Sequence, residues 1–156
     1  MSSNYFRIMN DAKIMLVEDQ LIPAHDLRRQ LIDMGYNVVS IFTEAERALD
    51  FLEKNKETER FPQIIIMDIT LAGKMDGIEA SRIIHEKYNC EMIFLTGLLD
   101  MKAINEILSF IPAFFLVKPF DIYYTHICIQ MALRQFDLKN EIHQLRSEIE
   151  SLRSRQ

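Results

Sequence analysis

Five short apolar runs, at residues 13–17, 37–42, 63–67, 91–95 and 113–117, are each followed by a segment whose apolar residues recur at helical spacing. The run at 13–17 is continuously apolar after Lys13 rather than alternating, as a strand covered on both faces should be, and 63–67 carries three isoleucines in a row. Repeated strand-then-helix units of this kind can close only as a parallel sheet flanked by helices on both sides. The helical segments carry their own punctuation. In 23–34, Leu27, Leu31 and Met34 share a face, Pro23 sits early, and Gly35 ends the run. Thr43, with Glu46 three residues on, predicts a capping box that opens a helix to residue 54. A polar loop comes next at 55–60, and Asp76-Gly77 predicts a turn before a helix over 78–87. Helices are also predicted over 101–110 and from residue 122 onward.

Chemistry-bearing residues fall where four of these strands end. Glu18-Asp19 follows KIMLV, Asp68 follows IIIM, Thr96 follows MIFL, and Lys118-Pro119 follows FFLV. In open parallel sheets the carboxyl ends of the strands line the ligand crevice. Three carboxylates, one hydroxyl and one ammonium would therefore meet there. Crowded carboxylates repel unless a cation neutralises them, and hard oxygen donors suit Mg²⁺, which keeps several of its waters. An ammonium and a hydroxyl beside that cation suit the oxygens of a phosphoryl group.

The order and spacing of these residues resemble the receiver domain of two-component response regulators, over residues 13–134. The resemblance implies a flavodoxin-like α/β fold, a doubly wound five-stranded parallel sheet of order 2-1-3-4-5. It implies Asp68 as phosphoacceptor, with Asp19 and Asp68 ligating Mg²⁺ directly, Glu18 acting through water, and the backbone carbonyl of Thr70 as a further ligand. Lys118 and Thr96 would stabilise the phosphoryl oxygens, and small Gly97 would leave room for the incoming group. Phe115, three residues before Lys118, stands where receivers carry the aromatic switch residue that turns inward as Thr96 moves. The fourth helix, fifth strand and fifth helix would carry the readout. The implied partner is a histidine kinase or a histidine phosphotransfer protein. The chain would catalyse its own phosphorylation and dephosphorylation only, as a switch and not a metabolic enzyme.

This chain departs from the family pattern after the acceptor. It reads DITLAGKMDG, with Ala72 where many receivers have proline and one extra residue before Met75-Asp76-Gly77. Leu98 and Thr70 occupy the positions where receivers tune hydrolysis. An apolar Leu98 cannot hold an attacking water, so slow loss of the phosphoryl group is expected, and fast loss at neutral pH would refute this.

Past residue 134 no Gly or Pro interrupts the last helix. Leu138, Ile142, Leu145, Ile149 and Leu152 recur at alternating steps of four and three, a coiled-coil seam with leucine at d and isoleucine at a. That pairing favours parallel dimers. Glu141 and Glu148 at g face Arg146 and Arg153 at e across such a dimer, whereas Arg134 and Lys139 would repel. Upstream, Gln135, Met131 and Cys128 are expected to continue the seam. The other readings are a single helix folded against its own domain, a solvated linker, and a signalling helix leading into a further domain of a longer protein. The last is the reading favoured by an end inside an unbroken helix. The domain plan is an N-terminal arm over 1–12, a receiver over 13–134, and a helical extension over 135–156.

Composition closes off other classes. A net charge of −5 and no helix-turn-helix or aromatic-basic pattern argue against direct nucleic-acid binding. No apolar run reaches the length of a membrane span, and the N-terminus lacks a signal pattern, so a cytoplasmic address is expected. Cys90 and Cys128 fit two reduced, half-buried thiols. An aspartate-nucleophile phosphatase of the haloacid dehalogenase type needs a second aspartate two residues after the first, where this chain has Thr70. A non-phosphorylated scaffold would have no use for Asp68, Thr96 and Lys118 together.

Overall fold

A computed structural model describes residues 11–97 and 100–155. The N-terminal arm lies outside them apart from Asp11 and Ala12, as does Leu98. The elements run β1 (Lys13–Val17), α1 (Leu21–Asp33), β2 (Asn37–Phe42), α2 (Ala45–Asn55), β3 (Ile64–Asp68), α3 (Gly77–Lys87), β4 (Glu91–Thr96), α4 (Met101–Leu108), β5 (Phe114–Val117) and α5 (Ile122–Arg153). All strand pairs are parallel, in the order β2-β1-β3-β4-β5. This is the doubly wound, flavodoxin-like sheet expected, with its switch point between β1 and β3.

The period of two along each central strand divides the core into two layers. Met15, Val17, Ile65, Met67, Met92 and Phe94 point to one side, packed with residues of α2, α3 and α4. Ile14, Leu16, Ile64, Ile66, Ile93 and Leu95 point to the other, against α1 and α5. Burial on both faces is why these strands read as continuous apolar runs.

The helix boundaries reflect local chemistry. Gly35, at φ +92°, takes the left-handed turn after α1, and the Tyr36 N–H reaches back to the Leu31 carbonyl at 3.0 Å. Asp76 caps α3 by accepting from the Glu79 N–H at 2.8 Å. The capping box expected at Thr43 does not form. The N-cap residue of α2 is Glu44, with no side-chain cap bond, because extended backbone continues one residue further than the sequence pattern suggests.

α5 is the outlying element, 32 residues or about 48 Å of helix. Its first half buries Thr125, Cys128, Ile129, Ala132 and Leu133 against the sheet. From Glu141 to Arg155 every residue is exposed. Residues 141–155 are therefore not folded against their own domain. Among the described residues, no helix is long and apolar enough to cross a membrane.

Candidate phosphoacceptor site

Each strand delivers its side chain to the same end of the sheet. β1 runs straight into Glu18, whose N–H still extends the ladder by donating to the Phe42 carbonyl at 3.0 Å. β3 ends on Asp68, paired in register with Leu95, and Thr96 is the next residue of β4. The Lys118 N–H donates to the Thr96 carbonyl at 2.7 Å, which sets the lysine just beyond β5. Glu18, Asp68 and Thr96 are buried, and Asp19 is half-buried.

Four of the five residues expected from the sequence are brought together by their side chains, and Thr96 stands at the end of the neighbouring strand β4. One ligand atom from each of Glu18, Asp19 and Asp68 lies within 4.8 Å of the others. The Lys118 ammonium bridges two of them, at 2.6 Å from Glu18 Oε2 and 2.6 Å from Asp68 Oδ2. Asp68 Oδ1 accepts from the Thr70 N–H at 2.8 Å and the Thr70 hydroxyl at 3.0 Å. Glu18 Oε1 accepts from the Gln20 N–H at 3.1 Å. Three clustered carboxylates beside one ammonium form a site whose negative charge a divalent cation would balance. An all-oxygen donor set of this size fits Mg²⁺.

The electrostatics express the crowding. Burial raises the Glu18 carboxyl above its ordinary range, with the Lys118 and Gln20 hydrogen bonds opposing and neighbouring Asp68 reinforcing the shift. Burial alone would lower the Lys118 ammonium, but its hydrogen bonds to Asp68 and Glu18 prevail and raise it. The lysine is held as a cation.

Phe115 is half-buried and stacks on Phe94, its register partner across β4 and β5, with centroids 5.7 Å apart. A Cβ at Gly97 would meet nothing within 4 Å.

The departure after the acceptor has a structural consequence the sequence did not reveal. The Ala72 N–H donates to Asp19 Oδ2 at 3.0 Å. Proline, which many receivers carry at this position, has no N–H to give. Ala72→Pro is expected to lower Mg²⁺ affinity about tenfold by releasing the Asp19 carboxylate, as loss of a group that orients a metal ligand does. Titration calorimetry checks this, and an unchanged affinity would make the bond incidental.

Along α5 the expected seam needs correction at Cys128 and Gln135, while Met131 is exposed. Cys128 is buried in the core, and burial raises its thiol pKa, as it raises that of Cys90 to about 12. Gln135 turns inward and donates to Glu91 Oε2 at 2.6 Å. Lys139 is engaged within its own chain, where it pairs with Glu91 Oε1 at 2.6 Å rather than facing Arg134 of another copy. Glu91 opens β4 at 1% exposure and holds the helix at the end of the sheet opposite Asp68. The only sequence hint of this anchor was an acid opening an otherwise apolar strand.

Residues 14–127 match the response regulator receiver domain family. The transcriptional regulatory protein PdtaR of Mycobacterium tuberculosis is 27% identical over 143 residues, which cover 92% of this chain and 65% of PdtaR. The phyllosphere-induced regulator PhyR of Methylorubrum extorquens is 27% identical over 108 residues, covering 69% of this chain and 38% of PhyR. The chain thus spans less than two thirds of either relative. In fold it matches the signal receiver domain of a modulated diguanylate cyclase from Desulfovibrio desulfuricans, at a TM-score of 0.74 and 29% identity, over 83% of this chain and 98% of that one. The strand-end carboxylates, the lysine beyond β5 and the sheet order are explained together by one conclusion: the chain belongs to the response regulator receiver domain family.

Proposed function

We propose that this chain is a phosphorylation-activated switch that accepts a phosphoryl group on Asp68 from a histidine kinase or histidine phosphotransfer protein. The observation that carries the reading is the double engagement of Asp68, with Thr70 on one carboxylate oxygen and Lys118 on the other. That grip aims a buried carboxylate at the crevice. An Asp68 oxygen attacks phosphorus, the bond from phosphorus to the donor nitrogen or oxygen breaks, and the donor leaves with the electron pair. The product is an acyl phosphate. Mg²⁺, when bound by Asp19, Asp68, the Thr70 carbonyl and, through water, Glu18, supplies charge stabilisation at the phosphoryl oxygens. Lys118 leaves its pairing with Asp68 to meet those oxygens, and the Thr96 hydroxyl donates to another.

The readout arises from the added charge. Movement of Thr96 frees the space into which Phe115 turns, and α4, β5 and α5 carry the change to the surface. Leu138, Ile142, Leu145, Ile149 and Leu152, each 41–63% exposed, present the seam of a parallel homodimer in the cytoplasm. Thermal unfolding with and without Mg²⁺ tests the site. Mg²⁺ at a hundred times its dissociation constant is expected to stabilise the chain by about 2.7 kcal/mol. Asp19→Asn is expected to lose most of this gain, and equal stabilisation of both proteins would refute the ligand assignment.

A further inference from the structure

We infer that buried Glu91 is a positioning residue for the readout, a latch that fixes the heading of the α5 tail and ties it to strand β4. The inference rests on the reading of α5 as part of the readout and deepens it. The Gln135 side-chain amide donates to Glu91 Oε2 at 2.6 Å, and the Lys139 ammonium lies 2.6 Å from Oε1. Positions 135 and 139 share one face of the helix and stand about 6 Å apart along its axis. Two grips at that separation, on the two oxygens of one carboxylate, oppose both rotation of the helix about its axis and tilt away from the sheet. Asn89 adds a third tether, donating to Asn140 at 2.7 Å.

The anchor is itself held firmly. Glu91 pairs in register with Ile64, and its N–H donates to the Gln63 carbonyl at 2.9 Å, so its backbone belongs to the sheet. Apolar packing does not hold the helix at this level. The last buried residue of α5 is Leu133, and half-buried Phe136 lines a groove of about 700 Å³ together with Phe61, Tyr88 and Asn89. A ring beside open space leaves a helix free to roll unless polar contacts stop it.

Stability alone does not call for an acid here. Taking a carboxylate out of water is unfavourable, and an apolar side chain of similar volume in such a place is often neutral or stabilising. What a buried ionic contact adds is a single geometry, and registry is its best-attested use. Glu91 is 1% exposed and stands where the buried half of α5 gives way to the exposed residues 141–155. A fixed geometry at that junction sets the direction in which the whole tail points. β4 runs from Glu91 to Thr96, so the latch and the switch hydroxyl sit at the two ends of one strand.

Double electron–electron resonance in the full chain tests this. Spin labels are attached at Lys54→Cys on α2 and Ser147→Cys on the tail, both exposed, and the labelled chain is diluted into unlabelled chain so that only distances within one chain are read. Native Cys90 and Cys128 are buried and stay unlabelled. The doubly labelled parent is expected to give one narrow distance distribution. Glu91→Leu should widen it at least about twofold while the melting temperature stays within about 5 °C, because leucine fills the volume but grips neither partner. Lys139 is 39% exposed and then turns its ammonium to water. Lys139→Met, a change outside the core, should widen the distribution as well. An unchanged width in both variants, whether or not they melt earlier, or a parent distribution as wide as theirs, would overturn the latch. No phosphoryl donor enters the experiment, so such a failure leaves the Asp68 reading standing.

Discussion

Gly77→Ala is expected to lower the melting temperature by about 10 °C and to slow phosphorylation at least tenfold. Helix propensity alone points the other way, since alanine is favoured over glycine inside a helix by about 1 kcal/mol. Geometry decides the sign. A Cβ on Gly77 would lie 2.2 Å from the Asp68 carbonyl oxygen and 3.1 Å from the Ile69 Cα. These are backbone atoms, so no rotamer change can relieve the overlap. Either α3 withdraws, which loosens a helix whose Ala80 and Ile84 are fully buried, or the end of β3 shifts and takes Asp68 with it. Gly97→Ala serves as the control, with nothing for its Cβ to meet within 4 Å and little expected change in stability. Thermal unfolding of both variants checks the first expectation, and equal melting temperatures would remove the claim that Gly77 is there for close approach.

Lys118→Met should destabilise the chain by about 3 kcal/mol without Mg²⁺, and Mg²⁺ should restore most of that loss. The methionine keeps the length of the side chain but removes the ammonium that bridges Glu18 and Asp68. Both carboxylates are almost fully buried, and burial already raises the Glu18 carboxyl while the ammonium opposes that shift. Without it, the remaining counter-charge is a metal ion. The variant should therefore gain more from Mg²⁺ than the parent does, yet accept phosphate poorly for want of a cation on the phosphoryl oxygens. A stability that neither falls nor responds to Mg²⁺ would mean the ammonium is dispensable to the cluster.

The sheet and the site were legible in the sequence for a common reason. Strands buried on both faces leave unbroken apolar runs, and the first polar residue after each run marks the carboxyl edge of the sheet. Reading Glu18, Asp19, Asp68, Thr96 and Lys118 off those ends required only that the strands be parallel. The features that escaped the sequence depend on backbone groups and long-range contacts. The donation from the Ala72 N–H to Asp19 comes from an atom every residue but proline carries, so no side-chain pattern reports it. Gln135 and Cys128 fit the heptad spacing as well as the proposed seam residues do, because spacing says nothing about which side of a helix the domain occupies. The core takes the side with Thr125, Cys128, Ile129, Ala132 and Leu133, and that choice moves the exposed stripe to Ile127 and Met131. Thr43 failed as a cap because the choice between two adjacent extended residues is set by where β2 lets the chain go.

The most direct measurement is intact-protein mass after incubation with Mg²⁺ and a phosphoryl donor, using acetyl phosphate and a phosphohistidine protein in separate reactions, beside an Asp68→Asn control. The expected result is one added phosphoryl group on the parent chain, dependent on Mg²⁺ and removed by hydroxylamine as an acyl phosphate should be, with none on the control. No gain from either donor in a chain shown to be folded, or an equal gain on Asp68→Asn, would contradict the assignment of Asp68 as the phosphoacceptor.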